Sequence, residues 1–91
     1  MKDPTIISLI EKVDSDFVGS NIIVKDYWEG DLCATGFSNS KSEKVIYVST
    51  YSKAKGLFFV TIDNNLNGIA EETYDEINYE DLKNLLTNHL V

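Results

Sequence analysis

Apolar residues recur at Ile6, Leu9, Ile10 and Val13, with Phe17 one turn beyond. This i, i+3, i+4, i+7 rhythm marks one face of an amphipathic helix. Asp3 followed by Pro4 supplies a capping carboxylate and then a proline at the first helical position. A helix over about residues 4–14 is predicted, ended by Asp14-Ser15-Asp16 and Gly19. The pattern then changes to four short strand-like runs at 22–27, 32–37, 45–51 and 57–62, the last two rich in β-branched and aromatic residues. The gaps between these predicted strands are short and carry Gly, Ser, Asn or Lys, which favours antiparallel neighbours.

Residues 63–70 read as a longer turn containing Asn67-Gly68, and 71–77 as either a short fifth strand or an acidic loop. Asn78 can cap a second helix, with Glu80 and Asp81 suited to the positive end of its dipole. Leu82, Leu85, Leu86, His89 and Leu90 fall on one face of that helix. The expected fold is α+β: a single domain over residues 1–91, in the order α-β-β-β-β-(β)-α. A four- to five-stranded antiparallel meander carries both helices on one face, with Ile46, Val48, Phe58, Val60 and Ile62 as the buried set. The opposite face carries Tyr47, Tyr51, Leu57 and Phe59.

Charge changes the picture more than composition does. Fifteen acids against eight bases give a net charge of −7, and every base is Lys. Without Arg the chain lacks the bidentate fork suited to phosphate, carboxylate and base edges. Together with the negative field, this argues against nucleic acid and anionic membrane as partners. Between Asp63 and Asp81 there are seven acids and no base. A single cysteine, Cys33, excludes an internal disulfide and suits a reducing interior. The longest apolar run, Leu57-Phe58-Phe59-Val60, is far short of the roughly 20 residues that span a bilayer. No signal peptide is evident at the N-terminus. The expected location is cytoplasmic.

Each candidate site has an ordinary structural reading beside a functional one. Residues 26–31, Asp-Tyr-Trp-Glu-Gly-Asp, wrap carboxylates around the one Trp. They are a hairpin turn whose Trp closes the core, or a partner-binding point, or a pair of acids for general acid–base work. Lys53 and Lys55, expected at the same end of the sheet, would neutralise those acids under the first reading. The acids Glu71, Glu72, Asp75 and Glu76 are a solvated edge or a docking surface for a Lys/Arg-rich partner. Residues 63–68 match the first half of a calcium loop, but position 12 is Tyr74 where a bidentate Glu is needed. His89 reads as an end-of-helix residue and Cys33 as a small buried hydrophobe in a strand. Lys41, Lys44, Lys53 and Lys55 read as protection of strand edges. No phosphate loop, nucleophile elbow or HExxH is present, and no cofactor or metal is expected.

Two segments, Asp26-Tyr27-Trp28-Glu29-Gly30-Asp31-Leu32-Cys33-Ala34-Thr35-Gly36-Phe37 and Val45-Ile46-Tyr47-Val48-Ser49-Thr50-Tyr51, carry a resemblance. They resemble a family of small bacterial proteins with a D-[HY]-W-E-x-D-L-C-A strand pair and a Y-[IV]-S-T strand. Some of these look like immunity proteins of contact-dependent growth inhibition and related toxin systems. By position, Asp26, Trp28, Glu29, Asp31 and Cys33 belong to that pattern. The resemblance implies a monomeric, non-catalytic, antitoxin-like protein that covers the basic cleft of a cognate nuclease-type toxin, such as an RNase. Its partner-binding residues would be Glu71, Glu72, Asp75 and Glu76, together with Asp26, Trp28, Glu29 and Asp31. Two alternatives stay open: an interaction domain using the Tyr-rich sheet face, as a homodimer or with another partner, and a small enzyme using Asp26, Glu29 or Asp31.

Overall fold

In the computed structural model, residues 3–24, 32–39, 41, 44–64 and 70–91 are described. They form helix α1 (Pro4–Asp16), strands β1 (Ile22–Val24), β2 (Ala34–Asn39), β3 (Lys44–Ser49), β4 (Leu57–Asn64) and β5 (Ala70–Asn78), and helix α2 (Tyr79–Leu90). The strands make one five-stranded sheet in the order β1-β2-β3-β4-β5, every neighbouring pair antiparallel. This is the α+β meander that the sequence pattern predicts, with the fifth strand present.

Helix α1 starts as its sequence requires. The Asp3 carboxylate accepts from the Thr5 amide at 3.0 Å and from the Thr5 hydroxyl. These bonds to the charged form hold the exposed Asp3 carboxyl below its ordinary range. The helix runs two residues beyond the expected end. Phe17 closes it by donating its amide to the Val13 carbonyl at 3.0 Å, and Gly19 then turns the chain at φ +84°. Asp16, in the last turn, faces the negative end of the helix dipole. It is compensated from α2, where Tyr79 donates its hydroxyl at 2.7 Å and the Lys83 amine lies at 3.8 Å. The Lys12 amine sits 5.0 Å from the Tyr79 ring centroid, so the two helices are joined by a small polar cluster.

Both helices bury one stripe against the same sheet face. Ile6, Leu9 and Val13 of α1 and Leu82, Leu86 and Leu90 of α2 are each 0–3% exposed. They join Phe37, Ile46, Val48, Phe58, Val60 and Ile62 in one core, which contains the whole expected buried set. Register explains the alignment: Phe37 lies opposite Ile46 and Ile46 opposite Ile62, so one row of side chains crosses three strands on the helix side. On the other side, Tyr47 and Phe59 are half-buried and meet edge to face at 6.3 Å. Ala34, Val45 and Ser49 on that side are already nearly closed to water.

Two local expectations are corrected. Leu32 and Cys33 form a turn and not the start of β2, and Cys33 is half-buried. Their carbonyls are taken outside the ladder: Leu32 O accepts from Asp3 N at 2.7 Å, and Cys33 O from Thr50 N at 2.8 Å. Residues 50–51 accordingly leave β3, and Tyr51 is 72% exposed in a turn. Lys53 pairs its amine with Asp75 on β5 at 3.3 Å, while the 26–31 segment it was expected to neutralise lies outside the described residues.

Candidate partner-binding surface

The sheet ends at β5, an edge strand of nine residues that passes directly into α2. Asn78 makes the junction: its side-chain oxygen accepts from the Asp81 amide at 2.9 Å, which caps the helix and places Glu80 and Asp81 in the first turn. The acidic stretch is thus divided between a strand edge and a helix start that share one border of the molecule.

Two bulges set the phase of β5. Phe58 pairs with Ile77 and Val60 with Tyr74, so one extra residue is accommodated between them; a second irregularity separates Ile62 and Asp63. The first bulge puts both Tyr74 and Ile77 on the helix side. They line an open groove of about 250 Å³ with Leu85 and Asp81 of α2. The three apolar members are half-buried and Asp81 is exposed. This combination suits the aliphatic stem and cationic head of a Lys or Arg side chain.

The neighbouring carboxylates differ in their commitments. Glu72 accepts from the Tyr74 hydroxyl at 2.7 Å and lies 3.5 Å from Nε2 of the half-buried His89. That hydrogen bond to Glu72, followed by desolvation and the charge of Glu72, raises the Tyr74 phenol above its ordinary value. Asp75 pairs with Lys53, but asymmetrically: the Lys53 side chain is 17% exposed and that of Asp75 is 89% exposed. Glu76 is exposed and, among the described residues, meets no cation.

Of the expected docking residues, Glu72, Asp75 and Glu76 therefore share β5. Glu71 lies on the same strand, but its side chain is outside the described residues. Asp26, Trp28, Glu29 and Asp31 also lie outside the described residues, as do residues 65–68 of the half calcium loop. Asp63 occupies a ladder position opposite Val45 in β4. Among the described residues no group of three or more His, Cys, Asp or Glu is placed to hold a metal ion. No described helix is long and apolar enough to cross a membrane.

Tyr79 was not singled out by the sequence pattern, although it precedes Leu82 and Leu86 at helical spacing. Burial, then the hydrogen bond to Asp16, then the charges of Asp16 and Glu80 push its phenol far above the ordinary tyrosine value. The Lys53–Asp75 and His89–Glu72 pairs carry no local signal, because the meander brings together residues distant in the chain. No protein-family model matches this chain, and neither a curated protein nor a solved structure matches it.

Proposed function

We propose that this protein is a non-catalytic binding domain of the immunity type, which neutralises a basic, nuclease-like protein toxin by covering its cationic cleft. The observation that supports this reading most is the continuous acidic border of β5 and the first turn of α2, set beside the Tyr74–Ile77–Leu85 groove. A nuclease cleft meets phosphate with Lys, Arg or His, so an anionic surface competes for the same groups. Charge steers the approach and raises the association rate; the groove slows departure by desolvating the stem of a partner side chain. The partner acts in the cytoplasm, and the inhibitor works as a monomer.

The alternative based on Tyr47, Tyr51, Leu57 and Phe59 has less support. Tyr51 has left that surface for a turn, and Ala34, Val45 and Ser49 beside Tyr47 expose little area for a second protein.

The test uses a basic nuclease domain that co-purifies with the protein, expressed in catalytically dead form. Reversal of Glu72, Asp75 and Glu76 to Lys is expected to weaken its binding by about two to three orders of magnitude, mostly through slower association. It should also abolish protection of cells expressing the active toxin. Affinity for that domain that does not change between low and moderate salt would sink charge-led docking.

A further inference from the structure

A second concavity, of about 350 Å³, lies between α1 and the turn that joins β3 to β4. Its size is within the range of about 300–1,000 Å³ typical of small-molecule sites. Leu9 and Phe58 form its apolar floor, 2% and 7% exposed, and the half-buried Leu57 continues it. Around this floor stand Lys12, Lys53 and Lys55. Three of only eight lysines in a chain of net charge −7 thus converge on one hollow. Among the described residues no carboxylate lines it.

The walls are held in place by hydrogen bonds. Thr5 and Thr50 join their hydroxyls at 2.8 Å, tying the first turn of α1 to the end of β3. The turn itself is fixed by Lys53 N to Thr50 O at 3.1 Å and Leu57 N to Ala54 O at 3.0 Å, with Gly56 at φ +84°. A preformed hollow loses little freedom when it is filled. The three cations are only lightly committed. Lys12 rests over the Tyr79 ring, and the amine of the mostly buried Lys53 reaches out to an Asp75 that is 89% exposed. An incoming carboxylate can replace that solvated counter-ion at small cost.

From this arrangement we infer a binding site for a small amphipathic carboxylate, its hydrocarbon part on Leu9, Leu57 and Phe58 and its head group among Lys12, Lys53 and Lys55. A compact polyanion such as inorganic phosphate gains nothing from the apolar floor, and a neutral apolar molecule leaves the amines unused. The site meets the proposed docking surface only through the pair of Lys53 with Asp75 of β5, and its test does not involve the toxin.

Decanoate below its micellar range, titrated into the full chain at neutral pH and low salt, is the probe, followed by calorimetry and by amide chemical shifts. Saturable one-to-one binding is expected, with shifts centred on residues 5–12 and 50–58. Decanol should bind about tenfold or more weakly, as should decanoate to the triple variant Lys12→Gln/Lys53→Gln/Lys55→Gln. Ala54→Trp, at an exposed turn position, should block the hollow without entering the core, and thermal melting confirms that each variant is folded. Decanoate and decanol binding equally well, or decanoate affinity unchanged in both folded variants, would overturn the inference. So would the absence of saturable decanoate binding to the wild-type chain.

Discussion

Thr35 is fully buried, and its hydroxyl has no hydrogen-bond partner among the described residues. It shares the helix side of β2 with Phe37 and lies opposite Val48, both fully buried. The other buried hydroxyls are satisfied: Ser38 donates to the Lys44 carbonyl at 2.9 Å, and Ser49 accepts from the Tyr51 amide at 3.2 Å. Replacing Thr35 with Val keeps the branched β-carbon and strand preference and exchanges the hydroxyl for a methyl. Desolvating an unpaired hydroxyl costs about 1–3 kcal/mol, and the new methyl adds about 0.8 kcal/mol of burial. A net stabilisation of about 1–2 kcal/mol is expected after allowance for imperfect fit. At about 4–8 °C per kcal/mol for a domain of this size, Tm should rise by about 5–15 °C. Urea melts should show a higher midpoint with an unchanged m-value. Thr35→Ser, which keeps the hydroxyl and removes the methyl, should lower stability. A neutral or destabilising Val substitution would show that the hydroxyl is hydrogen-bonded in solution and refute the reasoning.

Two further outcomes follow from the helix junctions. The Tyr79 phenol is raised above its ordinary value of 10.0 in the folded chain. The unfolded chain therefore releases that proton first, so this contribution to stability is complete below pH 10 and lost as pH rises beyond it. Tyr79→Phe should be less stable at pH 7, because the bond to Asp16 is gone, but should lose less stability between pH 9 and pH 11, measured by urea melts. Because the side chain is only partly buried, the difference in slope should be a fraction of the roughly 1.4 kcal/mol per pH unit of one fully shifted group. Asn78→Ala removes the cap of α2 and should cost about 1 kcal/mol in thermal or urea melts, with Asn78→Ser restoring most of it.

The elements readable in the sequence are those whose periodicity is decided by burial. Ile6, Leu9 and Val13, and Leu82, Leu86 and Leu90, fall on helical stripes that the sheet buries, so the pattern and the packing report the same constraint. Strands β3 and β4 were equally plain, because their alternate residues enter one core. Strand β5 was ambiguous for a physical reason: the bulge between the Val60–Tyr74 and Phe58–Ile77 pairs breaks the two-residue period that marks a strand. Leu32 and Cys33 misled in the opposite direction. They look apolar enough for β2, but the backbone partners that fix them belong to Asp3 and Thr50, far away in the chain. On the candidate surface, the acids were visible as composition, while their pairing with Lys53 and His89 depends on which strands become neighbours.

Those pairings determine how the acidic border can serve a partner. An exposed edge strand invites another strand, and two antiparallel copies of β5 would bring Glu72, Asp75 and Glu76 against one another, so like-charge repulsion would oppose pairing of β5 with a second copy. Within the molecule, Lys53 and His89 already compete for Asp75 and Glu72. In each pair the carboxylate is the more exposed member, 89% for Asp75 and 44% for Glu72, so a partner's Lys or Arg can reach it from solvent. Glu76 needs no displacement, and Asp81 adds its charge at the mouth of an apolar groove. Under the proposed docking, Glu76 would meet the incoming cation first, the groove would take up its stem, and Asp75 and Glu72 would exchange their internal partners last. Long-range attraction then resides mainly in charges that are free before contact, and residence time in the Tyr74–Ile77–Leu85 surface that loses water only after it.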